Sequence, residues 1–243
     1  MKIAVISDIH GNLQALDVVL EDINAENCEK ILCLGDLVMA GPQPKETLNK
    51  IRSLDNIEII QGNTDEMVAH ADIATPMVKK VFPIMGNALE NDAKLLNDEE
   101  LNFLDSLPKQ KEVELEGIKL LMVHGSPRKN DENIFPNLNI EEVEQMIEGV
   151  SANVILCGHT HIPCGYQTNN NKTVVNVGSV GRPFTEEPQS CYVVAEINNG
   201  EIEFRHKFVD YDKETASKLL EKREFEGAEK LAQILINPQV RHM

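Results

Sequence analysis

Seven residues whose side chains bind metals sit in matching places along this chain. Ile3-Ala4-Val5-Ile6 leads into Asp8 and His10, and Ile31-Leu32-Cys33-Leu34 leads through Gly35 to Asp36. Ile57-Glu58-Ile59-Ile60 leads through Gly62 to Asn63. Leu120-Leu121-Met122-Val123 leads into His124-Gly125, and Val154-Ile155-Leu156-Cys157 leads through Gly158 to His159-Thr160-His161. Short runs rich in β-branched residues read as buried strands. Ligands of open sheets bind beyond the carboxyl ends of strands. If the five strands share one sheet, the polar groups converge on one site. Asp, His and one Asn carbonyl make a mixed nitrogen and oxygen shell, which suits Mn²⁺, Fe, Ni²⁺, Co²⁺ or Zn²⁺ rather than a thiolate-selected metal. Seven ligands are too many for one ion and suit two that share a carboxylate. Each motif alone is weak, since Asp-x-His and Gly-Asp are common in turns; their order and shared position carry the reading. The other histidines, His70, His206 and His242, are expected at the surface or in satisfied structural roles.

The elements that must position these residues follow from periodicity. The first third reads as β-α-β-α-β, with a helix over 12–24 whose stripe is Leu13, Leu16, Val19, Leu20 and Ile23. Gly41-Pro42-Gln43-Pro44 punctuates the start of a second helix that runs through Leu48 and Ile51. Strand–helix alternation implies a parallel sheet with helices on its faces. Residues 65–109 carry no ligand motif and read as a helical, cap-like segment in pieces: 66–71, about 76–96, and 99–107, broken by Pro76, Pro83 and Gly86. Strands are expected at 111–116, 118–123, 153–157, 164–168, 173–177, 190–197 and 201–209, with one helix at 140–148. Gly117 and Asn198-Asn199-Gly200 signal hairpins. The tail reads as one helix over 213–236, and the whole chain, 1–243, as a single domain.

With 243 residues and 42% apolar side chains, the chain can bury a sizeable core. No stretch approaches the roughly eighteen apolar residues of a membrane span, and Asp8 interrupts the first apolar run, so no secretory signal is expected. A cytoplasmic location is expected, and five cysteines without a CxxC pair fit reduced thiols, Cys33 and Cys157 in the core. The formal charge of −17 argues against broad nucleic-acid binding. It leaves room for an anionic substrate, because two divalent cations reverse the local potential.

Together the motifs resemble the calcineurin-like metallophosphoesterase superfamily, with its D-x-H, G-D, G-N-H-[DE], H and G-H-x-H pattern, across residues 3–182 and most closely its compact bacterial and archaeal phosphodiesterase-like branch. The resemblance implies an α/β fold, a four-layer α-β-β-α sandwich of two mixed sheets flanked by helices, with a dinuclear metal site at the strand ends. It implies that Asp8, His10, Asp36 and His161 hold one ion, and that Asp36 bridges to a second ion held by Asn63, His124 and His159. Mn²⁺ is the first expectation for the pair. The implied reaction is in-line attack of a metal-bridging hydroxide on phosphorus, with Asp36 and His10 in the catalytic roles. The substrate is expected to be a small phosphate ester or anhydride, most simply a phosphodiester. Dinucleoside polyphosphate hydrolysis, protein phosphatase activity and a non-catalytic scaffold that keeps the fold are the alternatives. A homo-oligomer contact through the C-terminal stretch is left open.

The chain departs from the pattern at Gly62-Asn63-Thr64-Asp65, where threonine replaces the histidine that in relatives protonates the leaving group. General acid catalysis is worth about 10²–10⁴-fold. Either another group, such as His10 or a metal-bound water, supplies the proton, or the leaving group hardly needs one; activated diesters or phosphoanhydrides are expected over alkyl monoesters. Asn12, after Gly11, is read either as a phosphate contact or as a helix N-cap. Arg128, in His124-Gly125-Ser126-Pro127-Arg128, is a candidate phosphate contact. Arg182, in Gly178-Ser179-Val180-Gly181-Arg182-Pro183, is a second, in a loop expected to shape the floor of the site.

Overall fold

Alternate residues of each apolar run face opposite ways, and this period of two builds the layers. The computed structural model describes residues 1–238, so His242 lies outside the described residues. In chain order the elements are β1 (Lys2–Ile6), α1 (Leu13–Ala25), β2 (Lys30–Cys33), α2 (Pro44–Arg52) and β3 (Ile57–Ile59). Four helices follow: α3 (Asn63–Ala69), α4 (Ala71–Val81), α5 (Pro83–Leu95) and α6 (Asp98–Ser106). Then come β4 (Gln110–Leu115), β5 (Ile118–Val123), α7 (Ile140–Met146), β6 (Val154–Cys157), β7 (Cys164–Gln167) and β8 (Thr173–Asn176). The chain closes with β9 (Ser190–Asn198), β10 (Glu201–Val209), α8 (Lys213–Glu221) and α9 (Ala228–Ile236).

The strands form two mixed five-stranded sheets, ordered β10-β9-β1-β2-β3 and β4-β5-β6-β8-β7. The five motif-bearing strands are thus divided between two sheets, as the family resemblance implies, rather than sharing one. Ile3 and Val5 of β1, Leu120 and Met122 of β5, and Val154 and Leu156 of β6 meet in the core between the sheets. The intervening Ala4 and Ile6 face a helical layer that includes Leu16 and Val19 of α1. Leu121, Val123, Ile155 and Cys157 face Val143 and Met146 of α7 on the other side. Four layers, helix–sheet–sheet–helix, result. Burying one such aliphatic side chain contributes roughly 1.5–3 kcal/mol, which makes the period of two a strong determinant of register.

Parallel pairing aligns the strand ends. β1 pairs with β2 from Ile3 opposite Lys30 to Ile6 opposite Cys33, so the segments bearing Asp8 and Asp36 leave the same edge. β5 pairs with β6 through Leu120 and Val154, bringing His124 beside the Gly158–His161 segment. The Gly158 N–H donates to the His124 carbonyl at 2.8 Å, and the His159 N–H to Asp8 Oδ2 at 3.0 Å, which ties the two sheets together at this edge.

Residues 63–106 differ in detail from the sequence reading. Pro76 does not break its helix but lies inside α4. Pro76 and Asp72, whose carbonyl it leaves without a helical partner, are both exposed. Pro83 occupies the first turn of α5, where its missing N–H costs nothing, and Gly86 is accommodated within α5. The tail is two helices rather than one. Gly227 turns the chain at φ 96°, and Asn87 and Asn91 of α5 donate to the carbonyls of Glu226 and Glu224 in the link. Among the described residues, no helix is long and apolar enough to cross a membrane.

Candidate metal centre

Backbone geometry at the strand ends turns the polar side chains inward. Asp8, His10, Asp36, His159 and His161 all have φ between 48° and 65°, a region that costs a non-glycine residue about 1–3 kcal/mol. Strain concentrated on five candidate ligands is the pattern expected of a functional site. Two glycines make room. A Cβ on Gly62 would collide with the Asp36 carboxylate, and one on Gly158 with Ser7 Oγ.

The ring nitrogens converge. His161 Nε2 lies 3.1 Å from Asp8 Oδ1 and 3.1 Å from His10 Nε2. His10 Nε2 lies 3.6 Å from Asp36 Oδ2, and His124 Nε2 lies 3.4 Å from the same oxygen and 3.0 Å from Asn63 Oδ1. Among the described residues, two sets of donor atoms lie within 4.8 Å of one another: Asp8, His10 and His161, and Asp8, Asp36 and His124. Asn63 joins the second set through its contact with His124. His159 stands slightly apart, its ring centroid 5.2 Å from that of His124, and lines the same cavity.

The hydrogen bonds on the far side of each ring test whether cations fit here. His10 Nδ1 is 3.0 Å from the Met39 carbonyl, His161 Nδ1 2.5 Å from the Arg182 carbonyl and His124 Nδ1 2.8 Å from the Leu34 carbonyl. A carbonyl can only accept, so each Nδ1 carries the proton and each neutral ring presents a lone pair at Nε2. The lone pairs of His10 and His161 then face each other, and that of His124 faces two oxygen acceptors. Buried Asp8 Oδ1 has no hydrogen-bond donor at all. Lone pairs crowded together in a buried pocket require a positive charge between them, and the residues present fit divalent cations.

Titration behaviour reflects the same demand. Burial opposes the charged form of His124, but the Asp36 and Asp8 carboxylates outweigh it and push its pKa up to about 10, so a proton and a metal ion compete for the same Nε2 lone pair. Burial and the neighbouring His161 hold His10 down to about 4. Burial works against the Asp8 carboxylate, yet His161 and His124 draw it down to about 2. His124 draws Asp36 well below the usual carboxylate range, again against burial.

The remaining sequence candidates fall into different places. Asn12 is the N-cap of α1, its Oδ1 accepting from the Ala15 N–H at 3.2 Å and its Nδ2 donating to the Gly181 carbonyl at 2.9 Å. Its amide is engaged by the scaffold, as the N-cap reading expects. Arg128 pairs with Glu132 at 2.6 Å and donates to the Gln145 carbonyl; it lines a neighbouring pocket that shares Asn63, Met67 and Met77 with the main cavity. Arg182 does line the cavity, beside Phe184. The loop ahead of it forms the floor: Ser179 Oγ and the Gly181 N–H both donate to the Asp8 carbonyl. Thr64 donates its backbone N–H to Asp36 Oδ1 at 2.9 Å and its hydroxyl to the Val38 carbonyl at 3.2 Å. His70 sits at the surface against Asp105, and His206 Nε2 donates to the Asn176 carbonyl.

Four residues of the site went unassigned in the sequence reading. Asp65 accepts from the Leu37 and Gly62 N–H groups and so joins the loop after β2 to the start of α3; burial and the Asp36 charge raise its pKa to about 7. Asp92 accepts from the Met39 N–H and pairs with Arg223 at 2.6 Å, supporting the loop that receives the His10 proton donor. Asp92 falls on the apolar stripe of α5 with Ala88 and Leu89, a sequence sign of a buried carboxylate. Phe184 stacks on His161, ring centroids 4.6 Å apart.

The chain belongs to the calcineurin-like phosphoesterase superfamily, whose domain model matches residues 1–200. It is 32% identical over 238 residues to the uncharacterized protein MJ0912 of Methanocaldococcus jannaschii, covering 91% of this chain and 93% of that protein. It is 27% identical over 190 residues to the phosphodiesterase YfcE of Escherichia coli, covering 78% and 85% respectively. Its fold is similar to that of a metallophosphoesterase from Sphaerobacter thermophilus, with a TM-score of 0.80 and 25% identity over 98% of this chain and 99% of that one.

Proposed function

We propose that the protein is a dinuclear metal-dependent phosphodiesterase. The observation that carries the proposal is the pair of facing lone pairs on His10 and His161, 3.1 Å apart, beside a buried Asp8 oxygen with no donor. The similarity to a phosphodiesterase of Escherichia coli supports the reaction class. Asp8, His10, Asp36 and His161 would hold one ion, and Asn63, His124 and His159, with Asp36 shared, the other. When bound, such ions polarise phosphoryl oxygens and make water nucleophilic at neutral pH.

The chain's own residues do the rest. The carbonyls of Met39, Leu34 and Arg182 fix the ring tautomers by accepting the Nδ1 protons of His10, His124 and His161. The Thr64 N–H orients the Asp36 carboxylate. The Thr64 hydroxyl, already donating to a carbonyl, supplies no proton to a leaving group. Arg182 at the cavity wall is a cation placed to meet phosphate oxygens. The expected substrates are activated diesters or phosphoanhydrides, and Mn²⁺ is the first metal to try, before Fe, Ni²⁺, Co²⁺ and Zn²⁺. A cytoplasmic setting belongs to the same proposal, supported by five cysteines that are all free thiols.

The test is a panel of phosphomonoesters, diesters and dinucleoside polyphosphates assayed with each metal. Turnover of bis(p-nitrophenyl) phosphate that is lost in Asp36→Ala is expected. No turnover of any ester with any metal would refute the enzyme reading and favour a scaffold.

A further inference from the structure

The cavity that opens from the ligand cluster is far larger than a phosphoryl group, and most of its wall is apolar. Its volume is about 710 Å³, within the range that takes an entire small-molecule ligand. His10, Asp36, Asn63, His159 and His161 close one end. Phe184 stacks on His161 at that end, and the rest of the apolar lining comes from Met67 of α3, Met77 and Val81 of α4, and Phe82 and Met85 before and within α5. Met77, Val81 and Phe82 are 61%, 65% and 64% exposed, while Ala74, one turn before Met77 and Val78 on the same face of α4, is buried at the cavity wall. The apolar surface is therefore presented to the cavity and its mouth rather than spent on the core.

Away from the ligand end, the polar side chains of the wall are Thr64 and Arg182. The Thr64 hydroxyl is engaged by the Val38 carbonyl, and Arg182 is suited to a phosphate. Among the described residues, that wall offers no other side-chain donor or acceptor to the edge of a base or to sugar hydroxyls. The Phe184 ring already stacks on His161. Methionines, by contrast, adapt to flexible apolar chains.

We infer that this cavity takes a phosphodiester or phosphoanhydride bearing a long apolar chain, the phosphate at the ligand cluster and the chain along α4 and α5. This rests on the phosphoesterase reading and adds the substrate class. A second copy of the protein seated on α4 is the competing occupant. The continuity of the apolar wall with the ligand cluster favours the substrate chain.

The experiment compares p-nitrophenyl methyl, butyl and octyl phosphates, which share one leaving group, at concentrations below micelle formation. Each buried methylene strengthens binding by roughly fourfold at most, so kcat/KM is expected to rise at least tenfold from methyl to octyl, through KM. Met77→Asp, at an exposed position that tolerates the charge, is expected to cut that rise below threefold. Calorimetry without added metal gives a second readout: octylphosphonate should bind at least tenfold tighter than methylphosphonate. A flat series with turnover intact overturns the chain subsite and leaves the phosphoesterase reading standing. No turnover, but a retained calorimetric preference, supports the subsite while refuting the enzyme. A dimer that Met77→Asp dissociates, together with a flat series, assigns the surface to a second copy and overturns the inference.

Discussion

Arg223→Met should destabilise the protein far more than loss of an arginine from a surface link normally would. Arg223 lies between α8 and α9 but reaches inward: Nη1 is 2.6 Å from Asp92 Oδ1 and donates to the Gly41 carbonyl at 2.7 Å, and Nη2 donates to Asn91 Oδ1. Asp92 is fully buried and Arg223 nearly so, which removes the solvent screening that makes exposed pairs worth little. Removing one partner of such a pair costs about 3–5 kcal/mol, because a buried charge is left behind. Asp92→Asn combined with Arg223→Met leaves no such charge, and the Asn carbonyl can still accept from the Met39 N–H. The double variant should therefore recover at least half the loss. Urea denaturation gives these differences directly. The pH dependence has a definite sign. Burial raises the Asp92 pKa against the pull of Arg223, and without the arginine it rises further. Between the unfolded and folded pKa values only the folded state keeps the proton, so stability falls as pH rises through that window. The deficit of Arg223→Met should thus be larger at about pH 8 than at about pH 5. A loss under about 1 kcal/mol, a deficit that ignores pH, or a double variant weaker than the single would refute the reasoning.

Two further outcomes follow from the positions of Asn12 and Thr64. Asn12→Ala should cost about 1 kcal/mol through the lost cap, with KM for a diester changed less than twofold; a tenfold rise in KM would make Asn12 a phosphate contact. The rate should depend steeply on leaving-group pKa, and Thr64→His, facing the cavity, should flatten that dependence by speeding poor leaving groups up to about 10²-fold. A flat dependence in the unaltered protein would show that another group already donates the proton.

The parts of the fold and site that were legible in the sequence are those written in local pattern. Val5, Leu120 and Leu156 alternate with their neighbours between two cores, so the strands can be read, and the ligands sit one to four residues beyond them. The N-cap at Asn12 and the start of α2 at Pro44 are likewise local. The division into two sheets was not legible in the runs themselves, because identical alternation serves either sheet and only distant pairing separates them. Pro76 misled because its effect depends on exposure. The Asp92–Arg223 pair was missed because its partners meet only through the packing of α5 against the link after α8. Phe184 gave no local sign that it would stack on His161.

Metal content tests the central claim most directly. Protein purified without chelator, saturated with Mn²⁺ or Zn²⁺ and freed of excess, should carry two divalent ions per chain by plasma mass spectrometry, and Asp36→Ala should lose at least one. Fewer than one ion per chain in the folded, unaltered protein would contradict the account.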